Sequence, residues 1–122
     1  MANILVIDEH PSLEKLVSET LSPQGHLVYG VSDADKVMEM FSSSRWDLIL
    51  MDLYMNGVER WDLLEQLKLH NPPVPILIVS AFEPPLEPYL REDMDAFIQK
   101  DWEMNGLKRT IHEKLSTKAN YA

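Results

Sequence analysis

The chain has 122 residues and no cysteine, and its 20 Asp and Glu outweigh 11 Lys and Arg for a formal charge of −9. That length fits one domain burying roughly two-thirds of its unfolded surface, and the missing cysteines exclude disulfides, thiolate metal sites and cysteine nucleophiles. The acid excess repels nucleic acid and anionic membrane surfaces, and no apolar run is long enough to cross a bilayer.

The first apolar run, Ile4-Leu5-Val6-Ile7, has no basic segment ahead of it and meets Asp8-Glu9 at once, so it reads as a strand and not a secretory signal. A cytoplasmic protein is expected. Leu13, Leu16, Val17 and Leu21 then recur at helical spacing, with Pro11 suited to the first turn. Leu27-Val28-Tyr29 predicts a second strand, and Ala34, Val37, Met38 and Phe41 a second helix capped by Ser32. Leu48-Ile49-Leu50-Met51 is a third strand, Asn56-Gly57 a turn corner, and Trp61, Leu64 and Leu67 a third helix. Ile76-Leu77-Ile78-Val79 is a fourth strand. Residues 83–90 carry three prolines where a fourth helix belongs, so only a short helix is expected there. Ala96-Phe97-Ile98 predicts a fifth strand, and Leu107, Ile111 and Leu115 a last helix capped by Asp101. Residues 1–116 form one domain, and 117–122 read as a tail or the start of a linker. Unbroken apolar strands alternating with helices predict an α/β fold with a doubly wound parallel sheet. The tryptophans Trp46 and Trp61 are expected to pack in the core.

In such a sheet ligands sit beyond the carboxyl ends of the strands. The polar residues directly following the apolar runs are Asp8-Glu9, Asp52, Ser80 and, after the last run, Lys100. Three carboxylates at one edge repel unless a cation lies among them. Oxygen ligands without cysteine suit Mg²⁺, which binds through one or two carboxylates and keeps waters for a phosphate. Lys100 and the Ser80 hydroxyl complement phosphoryl oxygens. The set describes a phosphoryl-transfer site in which a carboxylate is both metal ligand and nucleophile. Any one of these residues alone is better explained as a cap, a turn residue or solvated surface; their joint order carries the reading.

These residues resemble the receiver domain of two-component response regulators over positions 3 to 115. Ile4-Leu5-Val6-Ile7-Asp8-Glu9 looks like the acidic-pair strand, and Asp52 followed by Leu53-Tyr54-Met55-Asn56-Gly57 like the phosphoacceptor and its loop. Ser80-Ala81 resembles the hydroxyl-then-small motif, and Phe97-Ile98-Gln99-Lys100 the aromatic-x-x-lysine. The resemblance implies a flavodoxin-like five-stranded sheet in the order 2-1-3-4-5 with helices on both faces. It implies that Asp52 accepts a phosphoryl group from a sensor histidine kinase or histidine phosphotransfer protein. Mg²⁺, with Mn²⁺ as a substitute, would be held by Asp8, Glu9, Asp52 and the backbone carbonyl of Tyr54. Ser80, Lys100 and the Ala81 backbone would contact the phosphoryl group, and Ser80 with Phe97 would form the switch. The signal would reach an effector protein or an output domain absent from this sequence, through the face of the fourth helix, fifth strand and fifth helix. The chain is then a signalling phosphoacceptor that assists its own phosphotransfer and dephosphorylation, and not a conventional enzyme.

The sequence departs from that pattern at Asn56, where proline is usual, at Arg60, where glycine is common, at Glu9, one methylene longer than the usual aspartate, and at Asp101, where proline usually follows the lysine. Tyr54 and Phe82, each two residues beyond a chemical position, are expected to modulate access of water to the acyl phosphate. Two other readings are a degenerate receiver that binds partners without phosphorylation, and a small hydrolase with an aspartyl nucleophile. The hydrolase is disfavoured because no insertion or second domain would exclude water.

Overall fold

The computed structural model describes residues 2–69, 74–80, 96–99 and 105–120. Strands β1 (Asn3–Ile7), β2 (Leu27–Val31) and β3 (Leu48–Met51) are separated by helices α1 (Pro11–Leu21) and α2 (Val37–Ser42). A two-stranded ribbon follows, β4 (Tyr54–Met55) and β5 (Val58–Glu59), and then α3 (Trp61–Lys68). Strands β6 (Ile76–Ser80) and β7 (Ala96–Gln99) and helix α4 (Asn105–Asn120) complete the described strands and α-helices.

The main sheet has the order β2-β1-β3-β6-β7, and all of its pairings are parallel. This is the 2-1-3-4-5 order that the resemblance to receiver domains implies for the five apolar runs. The physical reason is visible in the packing. Leu5, Ile7, Ile49, Met51, Ile76 and Ile78 form one cluster with Val37 and Phe41 of α2 and Leu63, Leu64 and Leu67 of α3. Their neighbours Ile4, Val6, Leu48, Leu50, Leu77 and Val79 join Leu13, Val17 and Leu21 of α1 and Leu107 and Ile111 of α4. Both faces of the inner strands are covered, so those strands show no polar alternation. Strand β2 lies at the sheet edge, and its Leu27 and Tyr29 are exposed.

Several local details differ from the sequence reading. The turn into α2 begins with a 3₁₀ segment, Ala34–Lys36, and Asp33 caps it by accepting the N–H of Asp35, the role expected of Ser32. Helix α4 runs to Asn120, so the boundary placed at 116 from composition falls inside a helix. Extending a formed helix fixes one residue per hydrogen bond, which tolerates a polar sequence such as Ser116-Thr117-Lys118-Ala119-Asn120. Pro11 opens α1 as expected. Trp46 is buried, donates its indole N–H to the Phe41 carbonyl at 3.0 Å, and meets Tyr29 edge-on. The expected short helix at 83–90 and the cap at Asp101 lie outside the described residues.

Candidate functional site

Ile7 of β1 is level with Met51 of β3, so Asp8 and Asp52 leave neighbouring strands side by side. The ladder continues one step beyond each strand: the Asp52 N–H donates to the Ile7 carbonyl at 2.8 Å and the Asp8 N–H to the Val31 carbonyl at 3.2 Å. Both carboxylates are buried, with Asp8 4% and Asp52 7% exposed. Burying a carboxylate is costly unless it is hydrogen-bonded. Each residue meets that demand with the same local device, a turn in which its Oδ1 accepts the N–H two residues on. Asp8 takes the N–H of His10 at 2.8 Å, and Asp52 takes that of Tyr54 at 3.0 Å. Two anionic oxygens are thereby held at adjacent strand ends.

Glu9 is placed differently. Its Oε2 accepts the N–H of Asn56 at 2.8 Å, which ties the acidic end of β1 to the ribbon that follows Asp52. Its Oε1 lies 3.6 Å from His10 Nε2, an ion pair only when that histidine is protonated. Among the described residues no three Asp, Glu or His side chains gather as a metal-binding group.

The ribbon was not foreseen. Asn56 and Gly57 both have positive φ, 54° and 76°, as the two central residues of a tight hairpin turn require. Asn56-Gly57 reads from the sequence as a turn corner, and Asn-Gly between Tyr54-Met55 and Val58-Glu59 is also the strongest short-range hairpin signal. The positive φ also explains one departure from the family pattern. Proline, fixed near −65°, cannot occupy the Asn56 position of this ribbon. The Arg60 N–H donates to the Leu53 carbonyl at 2.8 Å, so Tyr54 and Glu59 form the next, non-hydrogen-bonded pair. The backbone groups of such a pair face away from the partner strand. The Tyr54 N–H points to Asp52, and its carbonyl emerges on the same edge.

The ribbon's side chains are also tied down. Glu59 accepts the Tyr54 hydroxyl on Oε1 and the Trp61 indole N–H, at 2.7 Å, on Oε2. The two donors hold the Glu59 carboxyl below the usual range, and its acceptance of the hydroxyl raises the Tyr54 phenol above its own. The Asp52 charge adds to that rise. Tyr54 and Trp61 both pack against the apolar cluster that contains Met51 and Leu53. At the start of α3, Arg60 donates to both carboxylate oxygens of Asp62 at 3.0 Å, which lowers the Asp62 carboxyl.

Ser80 ends β6, the strand beside β3, and Phe97 lies in β7 opposite Ile78. The sheet therefore brings the backbone of Ser80 to the same edge as Asp8 and Asp52. Ala81, Phe82 and Lys100 lie outside the described residues. The oxygen donors that are described suit a hard divalent cation. Two buried carboxylates stand at neighbouring strand ends, where like charges oppose one another and a cation relieves them.

Among the described residues no helix is long and apolar enough to cross a membrane. A family model described as "Response regulator receiver domain" matches residues 4–112. The nitrate/nitrite response regulator protein NarL of Escherichia coli K12 is 33% identical over 117 residues, covering 92% of this chain and 54% of its own. The sensory transduction protein BceR of Halalkalibacterium halodurans is 28% identical over 99% of this chain and 53% of its own. The chain thus spans about half the length of these curated relatives. Among solved structures, the response regulator TrrA of Thermotoga maritima, in complex with Mg²⁺-BeF, superposes with a TM-score of 0.82 at 21% identity, covering 94% of this chain and 100% of that one. The chemotaxis response regulator CheY4 of Vibrio cholerae gives 0.81 at 21% identity, covering 94% of this chain and 99% of that one. TrrA also matches, with a TM-score of 0.80, in its complex with the histidine kinase ThkA. Strand order, paired acids at the sheet edge and a family match over nearly the whole chain agree: this chain belongs to the receiver domains of two-component response regulators.

Proposed function

We propose that Asp52 is the phosphoacceptor of this receiver and that a histidine kinase or histidine phosphotransfer protein supplies the phosphoryl group. The observation that carries the proposal is the side-by-side burial of Asp8 and Asp52 at the ends of β1 and β3, each carboxylate oriented by its own downstream N–H. In the reaction an Asp52 oxygen attacks phosphorus in line. An O–P bond forms, the N–P bond of the phosphohistidine breaks, and the imidazole leaves. The Tyr54 N–H fixes the carboxylate's rotation, so little ordering remains to be done in the transition state. Asp8, Glu9, Asp52 and the Tyr54 carbonyl would hold Mg²⁺, which supplies positive charge to offset the phosphoryl oxygens. Ser80, the Ala81 backbone and Lys100 would contact those oxygens, and Ser80 with Phe97 would carry the switch. Tyr54 and Phe82 would limit water access. The relatives' greater length is consistent with an effector domain or partner protein as the recipient of the signal.

The test uses beryllofluoride, a stable mimic of the phosphoryl group. With Mg²⁺ present it should shift the amide resonances of residues around Asp52, and Asp52→Asn should abolish the response. Silence at millimolar Mg²⁺ and fluoride would reject phosphoacceptance and leave a phosphorylation-independent binding module.

A further inference from the structure

We infer that Glu59 is a positioning residue for the Asp52 site: it clamps the side chain of Tyr54, two residues beyond Asp52, and so sets how fast water removes the phosphoryl group. The inference rests on the proposed phosphoacceptor role of Asp52.

Glu59 has no place in the chemistry described above and is exposed on the ribbon. Its two carboxylate oxygens are nevertheless both engaged, one by the Tyr54 hydroxyl and the other by the Trp61 indole N–H. The ribbon register makes this arrangement. Tyr54 and Glu59 face each other as a non-hydrogen-bonded pair, the pairing in which cross-strand side chains stand closest. Trp61, as the first residue of α3, fixes the carboxylate from the far side. Hydrogen bonds to an ionised acceptor are about twice as strong as neutral ones. Two of them on one carboxylate hold a ring that would otherwise rotate at a loop beside the site.

The backbone of Tyr54 is bound to Asp52, and the ring packs on the cluster containing Met51, Leu53 and Met55. On the proposal, a ring held two residues beyond Asp52, close enough for its phenol to feel the Asp52 charge, stands beside the path to the phosphoryl group. Hydrolysis of the acyl phosphate needs a water oxygen to reach phosphorus from the side opposite the Asp52 oxygen. The water O–P bond forms, the Asp52 O–P bond breaks with its electron pair going to the carboxylate, and the water protons leave with the inorganic phosphate or pass to solvent. A clamped ring restricts that approach, and a free one opens it intermittently. Asn56 is part of the same device, because its left-handed turn is what brings Glu59 back opposite Tyr54.

The experiment compares the full chain with Glu59→Ala, Glu59→Gln, Tyr54→Phe and the Glu59→Ala/Tyr54→Phe double variant. Each is first checked for the Mg²⁺-beryllofluoride response, then phosphorylated with a small phosphoramidate, and phosphate release is timed. Glu59→Ala should shorten the phosphoryl lifetime by about threefold, a change of about 0.65 kcal/mol in barrier. Tyr54→Phe, which keeps the ring and loses the tether, should do the same, and the double variant should add nothing further. Glu59→Gln, which keeps one acceptor for the hydroxyl but loses the charge and the second acceptor, should fall between the parent and Glu59→Ala. The indole N–H resonance of Trp61 should move in Glu59→Ala. Parent-like phosphate release from Glu59→Ala, or additive effects in the double variant, overturns the clamp while the beryllofluoride response keeps the phosphoacceptor reading intact. A parent protein that takes no phosphoryl group overturns both.

Discussion

Residue-level behaviour at the site turns on a few backbone N–H groups. Those of His10, Tyr54 and Asn56 each hold one carboxylate oxygen, of Asp8, Asp52 and Glu9 in turn. Asn56 therefore has two duties, a left-handed φ and a donor N–H, and proline can perform neither. Asn56→Pro, which restores the residue usual in the family, should cost more than about 1 kcal/mol in chemical denaturation, because the new ring conflicts with the native conformation. A neutral or stabilising result would mean that the ribbon is not held as described. The residues proposed for the chemistry stand out in the sequence because Asp8, Asp52 and Ser80 directly follow apolar runs, with Glu9 and Lys100 one residue further on. Glu59 does not. It is one acid among 20 Asp and Glu, and only the pairing of β4 with β5 sets it apart.

Elements were legible in proportion to how completely they are buried. β1, β3 and β6 are covered on both faces, and their unbroken runs of Ile, Leu and Val announced them. β4 and β5 have two residues each, too short for any periodic pattern, and the hairpin shows in the sequence only through its Asn-Gly turn. Helix α3 shows the link between packing and site. Leu63, Leu64 and Leu67 anchor it to the sheet, while its first residue, Trp61, holds Glu59. Leu64→Ala removes a fully buried side chain and should destabilise the protein by about 2–5 kcal/mol in urea unfolding. A loss of less than about 1 kcal/mol would show that α3 is not docked through Leu64.

At the scale of the whole molecule, a formal charge of −9 opposes compaction, and the two buried carboxylates concentrate that opposition at one sheet edge. If a divalent cation binds there, it stabilises the folded state by mass action. At a Mg²⁺ concentration 100 times its dissociation constant the gain is about 2.7 kcal/mol. Thermal unfolding should therefore shift upward with Mg²⁺ well beyond a NaCl control of equal ionic strength, and Asp52→Asn should remove most of the excess. Equal shifts in both salts would reduce the effect to general screening. Strand order was legible only through likeness to a family. Periodicity shows that strands exist, but the neighbours of a parallel strand are set by long-range packing, which a local pattern does not record.

The alternation of the sheet has a consequence of its own. In β1 and β3 the even-numbered residues Ile4, Val6, Leu48 and Leu50 lie on the α1 and α4 side, and the odd-numbered Leu5, Ile7, Ile49 and Met51 on the other. Asp8 and Asp52 are both even, and the ladder carries each of them one step past its strand. The two acids thus share a parity as well as an edge. Loss of a single residue inside either strand would exchange its two apolar faces and put the acid out of step with its neighbour. What these strands hold most tightly is their count, more than the choice among Ile, Leu and Val at any one place.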